Sequence, residues 1–243
     1  MAIGSWRCFL LLLLFSLGNI ASATVFTLQN LCDYTIWPGT LAKSGSPTLG
    51  DGGFPLASGS SIQLQAPPSW SGRFWARTRC TFDGSGAGKC STGDCGGVLK
   101  CIGSGATPAT LAEFTIAQNS NEKDFYDVSL VDGYNIELGI KPVGGSGDCQ
   151  YAGCVSDLNA NCPTELQVMD SGSIVGCKSA CAVFGAPEYC CTGSHSTAQT
   201  CSPTRYSQIF KNACPKAYSY AYDDATSTFT CSGSDYTITF CPR

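Results

Sequence analysis

The sequence is poor in charge and nearly devoid of histidine. Asp, Glu, Lys and Arg make up 13% of its 243 residues, and His195 is its one histidine. That residue sits in the polar run Gly193-Ser194-His195-Ser196-Thr197, where it offers neither a catalytic relay nor a metal set. No metal and no cofactor is expected. The net charge of −4 comes without a basic cluster. Nucleic acid is therefore not expected as a partner, since nothing is available to displace phosphate counterions. Attraction to anionic membranes through bulk charge lacks support on the same ground. No Asn-x-Ser/Thr acceptor occurs, so N-glycosylation is not expected either.

Cysteine, by contrast, is abundant. Of the 17, Cys8 lies in an N-terminal segment with Arg7 ahead of the apolar run Cys8 to Leu17 and the small-residue pattern Ala21-Ser22-Ala23. This reads as a secretory signal peptide over residues 1–23, because the apolar run is too short to span a bilayer. Its removal leaves 16 cysteines and a charge of −5. An even set of that size in an exported chain is expected to be fully paired in disulfides. The product is expected to be secreted, soluble and monomeric, and its charge balance suits a neutral, hydroxyl-rich partner.

Short strand patterns separated by glycine and proline turns dominate the rest. Val25 to Asn30 is β-like, and Tyr34-Thr35-Ile36-Trp37 continues the pattern until Pro38-Gly39 breaks it. Ser61 to Gln65 alternates, which predicts one buried and one wet face. Asp127 to Val131 and Tyr134 to Leu138 flank Asp132-Gly133, a two-residue hairpin signal. Tyr236 to Phe240 alternates at the far end. The expected class is mainly β, an antiparallel sandwich or jelly roll.

The stretch from Arg73 to Glu113 organises the chain. Its first strand, Arg73 to Arg79, puts Arg73, Trp75, Arg77 and Arg79 on one face. Cys80, Cys90, Cys95 and Cys101 follow among glycines, in a loop too short and flexible to hold a shape without cross-links. Leu111 to Ile116 returns to strand. The run Gly84 to Ser91 mimics a phosphate loop, but Asp83 stands in place of the first glycine and Cys90 in place of the Ser/Thr that holds magnesium.

Beyond Gly144-Gly145-Ser146-Gly147 the character changes. Residues 149–214 hold nine cysteines and little strand pattern. Cys177 and Cys181, spaced i, i+4, suit a short helix. Thr204 caps an amphipathic helix carrying Tyr206, Ile209, Phe210 and Ala213. The reading is a core domain of residues 24–79, 102–148 and 215–243, a small disulfide module at 80–101, and an inserted domain at 149–214. The spacing alone leaves roughly two million ways to pair 16 cysteines.

The motif Gly86-x-Gly88-x-Cys90-x-Thr92-Gly93-Asp94-Cys95-x-Gly97-x-x-x-Cys101 resembles the signature of the thaumatin-like proteins, which include osmotin and the class-five pathogenesis-related proteins of plants. Thr110-Leu111-Ala112-Glu113, Tyr189-Cys190-Cys191 and Ala217-Tyr218-Ser219-Tyr220 look like further landmarks of that family. The resemblance implies a jelly-roll-like sandwich with the disulfide-rich insertion packed on it. It also implies the pairs Cys32–Cys241, Cys80–Cys90, Cys95–Cys101, Cys149–Cys231, Cys154–Cys214, Cys162–Cys177, Cys181–Cys190 and Cys191–Cys201. It implies a cleft between sandwich and insertion lined by Arg73, Glu113, Asp127, Asp132 and Asp224.

The same resemblance implies antifungal defence, by binding cell-wall β-1,3-glucan or a surface protein and disturbing the hyphal membrane. Some relatives are associated with weak endo-β-1,3-glucanase activity. Glu113 as acid, raised by neighbouring acids, with Asp127, Asp132 or Asp224 as base and Arg73 keeping one partner ionised, is chemically coherent for that. Binding is the primary expectation. A sweet-taste role is set aside because the chain lacks a basic surface.

Overall fold

The computed structural model describes residues 23–242, so the expected signal peptide lies outside them apart from Ala23. Thirteen strands run through the described residues. They are β1 (Thr24–Asn30), β2 (Trp37–Ala42), β3 (Ser61–Ala66), β4 (Ser71–Arg77), β5 (Thr81–Phe82), β6 (Gly88–Lys89), β7 (Leu111–Thr115), β8 (Asp124–Ser129), β9 (Leu138–Ser146), β10 (Ala152–Gly153), β11 (Gln167–Asp170), β12 (Ser173–Cys177) and β13 (Phe229–Phe240). The described residues also form four short α-helices, α1 (Ala180–Phe184), α2 (Pro187–Cys190), α3 (Arg205–Ala213) and α4 (Asp224–Ser227), and several single 3-10 turns.

The fold is mainly β, built on one curled sheet that doubles over itself. β13 is the shared spine. Its first residues, Phe229 to Cys231, pair with β8, which continues the order β8-β7-β4-β2. Its later residues pair with β9 on one side and, in parallel, with β1 on the other, where β3 closes the edge. The alternation in β13 buries Phe229, Cys231, Tyr236, Ile238 and Phe240. The two layers enclose a cluster of Phe26, Trp70, Phe74, Phe114, Tyr126 and Tyr236, with the Phe26 and Phe114 rings edge to face at 4.7 Å. Edge-to-face pairs of this kind add about 0.5–1.5 kcal/mol each beyond their burial. Leu158, Leu166, Tyr206 and Phe210, from the cysteine-rich stretch, join the same buried cluster.

Eight disulfides join Cys32 to Cys241, Cys80 to Cys90, Cys95 to Cys101, Cys149 to Cys231, Cys154 to Cys214, Cys162 to Cys177, Cys181 to Cys190 and Cys191 to Cys201. The first clamps the residues flanking β1 to those flanking β13. The adjacent Cys190 and Cys191 pull towards different partners, and Cys191 turns the chain through a left-handed conformation, φ 52°, to do so. In α3 the Thr204 hydroxyl accepts from Ser207 N while the Ser207 hydroxyl accepts from Thr204 N, a reciprocal cap.

Several local expectations are corrected. Asp132-Gly133 is a turn, with Gly133 N donating to Leu130 O at 2.9 Å, but its flanks do not form a hairpin. Tyr134 bridges to Cys177, and Leu138 opens β9 in the other layer. Pro38 and Gly39 do not break a strand: they lie inside β2, an edge strand where the missing proline N–H is tolerated. β3 is largely wet, with Ile62 exposed, because as an edge strand it is covered by little beyond β1. Cys177 ends β12 while Cys181 lies in α1, so no single helix carries both.

Arg77 is the largest departure. Its strand face is shared with Arg73, yet its side chain is fully buried. The 80–101 loops fold over it, and its guanidinium donates to the carbonyls of Trp37 (2.9 Å), Val98 (2.9 Å), Leu99 (2.8 Å) and Pro38 (3.3 Å). Burial pushes its pKa down to about 10, against the pull of Asp94, so the charge survives at neutral pH. A buried cation with four carbonyl partners fastens the disulfide loops to β4. Trp75 assists by donating from Nε1 to Gly93 O at 2.8 Å.

Candidate functional site

β4, β7 and β8 run antiparallel as neighbours, and their register sets Arg73 opposite Glu113 and Glu113 opposite Asp127. Period-two alternation sends Phe74, Phe114, Tyr126 and Val128 inward to the core and this row of three outward on the other face. Arg73 Nη1 lies 3.9 Å from Glu113 Oε1, and Arg73 Nη2 donates to Ser104 Oγ at 3.2 Å. Both side chains of that pair are part-exposed, so the contact orients more than it stabilises.

Burial raises the pKa of Glu113; Arg73 pulls it back and Asp132 pushes it further up. For Asp127 burial acts more strongly, Glu113 and Asp224 add to it, and the carboxyl is pushed up to about 8. One oxygen of Asp127, Oδ1, is buried without a hydrogen-bond partner. At neutral pH Asp127 therefore carries a proton while sitting beside an ionisable neighbour. The sequence reading gave the acid's role to Glu113 and the cause to neighbouring acids; in the structure Asp127 is the more strongly raised, and burial leads.

Asp132 reaches the site from the turn after β8. A Cβ on the following Gly133, at φ +90°, would come 2.7 Å from Pro108 Cβ and 2.8 Å from Cys177 O, so only glycine fits this turn. Arg73, Glu113, Asp127, Asp132 and Tyr218 line one groove of about 360 Å³. A neighbouring trough of about 440 Å³, shared through Arg73, Glu113 and Asp127, continues past Phe125 and Lys43. A third hollow of about 290 Å³ adjoins at Asp132 and Ala221, between the core and the helices α1 to α3.

Asp224, at the start of α4, is not in the groove lining. It stands behind Tyr218, whose hydroxyl donates to Asp224 Oδ1 at 2.8 Å and also contacts the Thr228 hydroxyl. Burial pushes the Tyr218 hydroxyl up to about 12, so it stays a donor. Tyr218 is placed by β8: its N donates to Val128 O at 2.8 Å, and its O accepts from Leu130 N at 2.8 Å. Lys211 of α3 fixes the same segment by donating to Ala217 O, Asp223 Oδ2 and Ser227 Oγ, each at 2.9 Å. Burial pushes Asp223 up, but bonds from Lys211 and Ser219 outweigh it and hold its carboxyl below the ordinary range. Tyr218 and Lys211 had no assigned role in the sequence. The run Ala217-Tyr218-Ser219-Tyr220 was a signal for the first, whereas Lys211 had none beyond its place on the polar side of α3. Among the described residues no group of three or more His, Cys, Asp or Glu side chains is arranged to hold a metal.

The thaumatin family profile matches residues 30–242. The chain belongs to the thaumatin family. It is 66% identical over 223 residues to the pathogenesis-related thaumatin-like protein 3.5 of Cryptomeria japonica, covering 91% of each chain. It is 54% identical over 235 residues to a protein of Prunus avium named glucan endo-1,3-beta-glucosidase, covering 95% of each. Among solved structures it resembles the thaumatin-like xylanase inhibitor TLXI, with TM-score 0.51 and 25% identity over 89% of this chain and 99% of that one.

Proposed function

We propose that this thaumatin-family chain is a secreted defence protein whose groove binds the β-1,3-glucan of fungal cell walls. The observation that carries the reading is the row Arg73–Glu113–Asp127, with Asp127 protonated at neutral pH. Sugar hydroxyls both donate and accept. The row offers a charged donor, a carboxylate acceptor and a neutral carboxyl that does either, side by side. Phe125 in the adjoining trough supplies an apolar ring for a sugar face. Eight disulfides fit an oxidising, extracellular setting. The test is retention on insoluble β-1,3-glucan. Glu113→Gln is expected to bind about tenfold more weakly, the effect of losing a hydrogen bond to a charged group. Unchanged retention would remove the assignment.

Weak endo-β-1,3-glucanase activity is a second reading, favoured by the raised pKa of Asp127 beside Glu113. Glycoside hydrolysis needs two carboxyls in different protonation states, one as acid and one as base or nucleophile. Asp127 takes the acid's role and Glu113 the other, and the Prunus avium relative bears a glucanase name. Asp127→Asn is expected to abolish release of reducing sugar from soluble β-1,3-glucan. An unaffected rate excludes Asp127 as the acid.

A further inference from the structure

A cavity of about 540 Å³ is lined by none of the groove residues. Its walls come from the segment before β2, Thr78 and Arg79 after β4, the segment before β9, the turn at 157–159, Ile174 and Val175 of β12, and Cys241. We propose that this cavity is a second binding site, for a neutral oligosaccharide, with Tyr34 as its stacking platform and Glu137, Asp157 and Arg79 as its hydroxyl partners.

Tyr34 is 43% exposed although it is a large aromatic, and Trp37 beside it is half-buried, with its ring 6.5 Å from that of Phe82. Exposed aromatic faces at the mouth of a hollow are the usual apolar partner of a pyranose ring. Among the described residues Glu137 has no ion-pair partner. Asp157 is occupied at Oδ1, which accepts from Tyr134 OH at 3.0 Å and from Asn159 N at 2.9 Å. Arg79 is tethered to Asp170 through Nη1, 3.1 Å from its carbonyl and 3.5 Å from Oδ2. Asn159 of the lining donates from Nδ2 to Asn135 O at 2.9 Å, and its Oδ1 is buried with no partner.

These groups converge. Burial raises the Tyr34 hydroxyl, Asp33, Asp157 and Glu137 push it further, and Arg79 pulls it back. Burial also raises Glu137, with help from Asp157. The two carboxylates repel an anion and accept hydrogen bonds from hydroxyls, while Arg79, part-neutralised by Asp170, donates to a ligand oxygen. A neutral molecule rich in both donors and acceptors satisfies all three.

The site is independent of the groove, and its test separates the two. Backbone amide shifts are followed by NMR in the whole disulfide-bonded protein during titration with β-1,3-gluco-, xylo- and chito-hexasaccharides. At least one sugar is expected to shift the amides of Tyr34 to Trp37 and Asp157 to Asn159. Glu113→Gln should leave those shifts in place, while Glu137→Gln should weaken them about tenfold. Tyr34→Ala, at an exposed ring, gives a second variant whose fold is not at stake and should lose them. Shifts confined to the Arg73 and Glu113 region, or no shifts with any sugar, would overturn the second site. So would a response at Tyr34 to a lysine-rich peptide and to none of the sugars. Loss of groove shifts alone would overturn the groove reading and leave this one standing.

Discussion

Glu113 and Asp127 stand directly opposite each other on β7 and β8, and burial holds both carboxyls above their ordinary range. Two like charges so placed cannot both ionise freely, and the proton resides on the more enclosed partner, Asp127.

Stability should therefore fall with rising pH across a defined window. Asp127 titrates near 4 in an unfolded chain and at about 8 in the folded one. Between these values the folded state holds the extra proton, so each step upward in pH favours unfolding. Asp127→Asn keeps the neutral side chain at every pH. It should be more stable than the parent at pH 8 by about 1–3 kcal/mol and nearly equal at pH 4. Urea titrations at the two pH values check this; an equal loss at both would mean that Asp127 is ionised in the fold.

Glucan retention should follow the same titration. Protonated Asp127 donates to a hydroxyl and ionised Asp127 does not, so binding is expected to decline as pH rises through about 8. The Asp127→Asn variant should show a flat profile over that range, read in the same pull-down.

Lys211→Met should act on the groove from a distance. It strips Asp223 of its cation and frees the segment that carries Tyr218 and Asp224. A loss of about 2–4 kcal/mol is expected for the buried, unpaired carboxylate. Retention should fall with it. Tyr218→Phe, which removes only the bond to Asp224 and the contact with Thr228, should weaken retention with less than about 1.5 kcal/mol of destabilisation. Comparing the two by thermal melt and pull-down separates placement from contact.

Arg77→Met should cost about 3–5 kcal/mol, because four buried carbonyls lose their donor and methionine replaces none of it. Arg77→Lys should recover little, since one ammonium cannot span carbonyls on two separate segments. Thermal melts of both variants test this, and a fully rescued lysine variant would contradict it.

The strands were legible where alternation meets a single partner layer, as in β7 and the end of β13. Asp132-Gly133 misled because a turn signal is local while strand pairing is not. The chain leaving that turn finds Cys177 and then Phe240, both far along the sequence. Arg77 was unreadable for a similar reason. Alternation puts it on the face of Arg73, and only the fold of residues 93–99, closed by Cys95–Cys101, roofs it over. The outward row of Arg73, Glu113 and Asp127 could be read from strand phase. The protonation of Asp127 could not, since its burial depends on a segment about ninety residues later, pinned by Lys211. Disulfide partners were likewise beyond spacing and came only through family resemblance.

The position of β13 has a consequence for synthesis. This last strand supplies the seam at which both layers meet, pairing with β1, β8 and β9 together. Neither layer can be completed while those residues remain inside the ribosome, so the nascent chain must emerge without its final shape. That delay also makes the bridge from Cys241 to Cys32, which spans 209 residues of sequence, one of the last cross-links able to close.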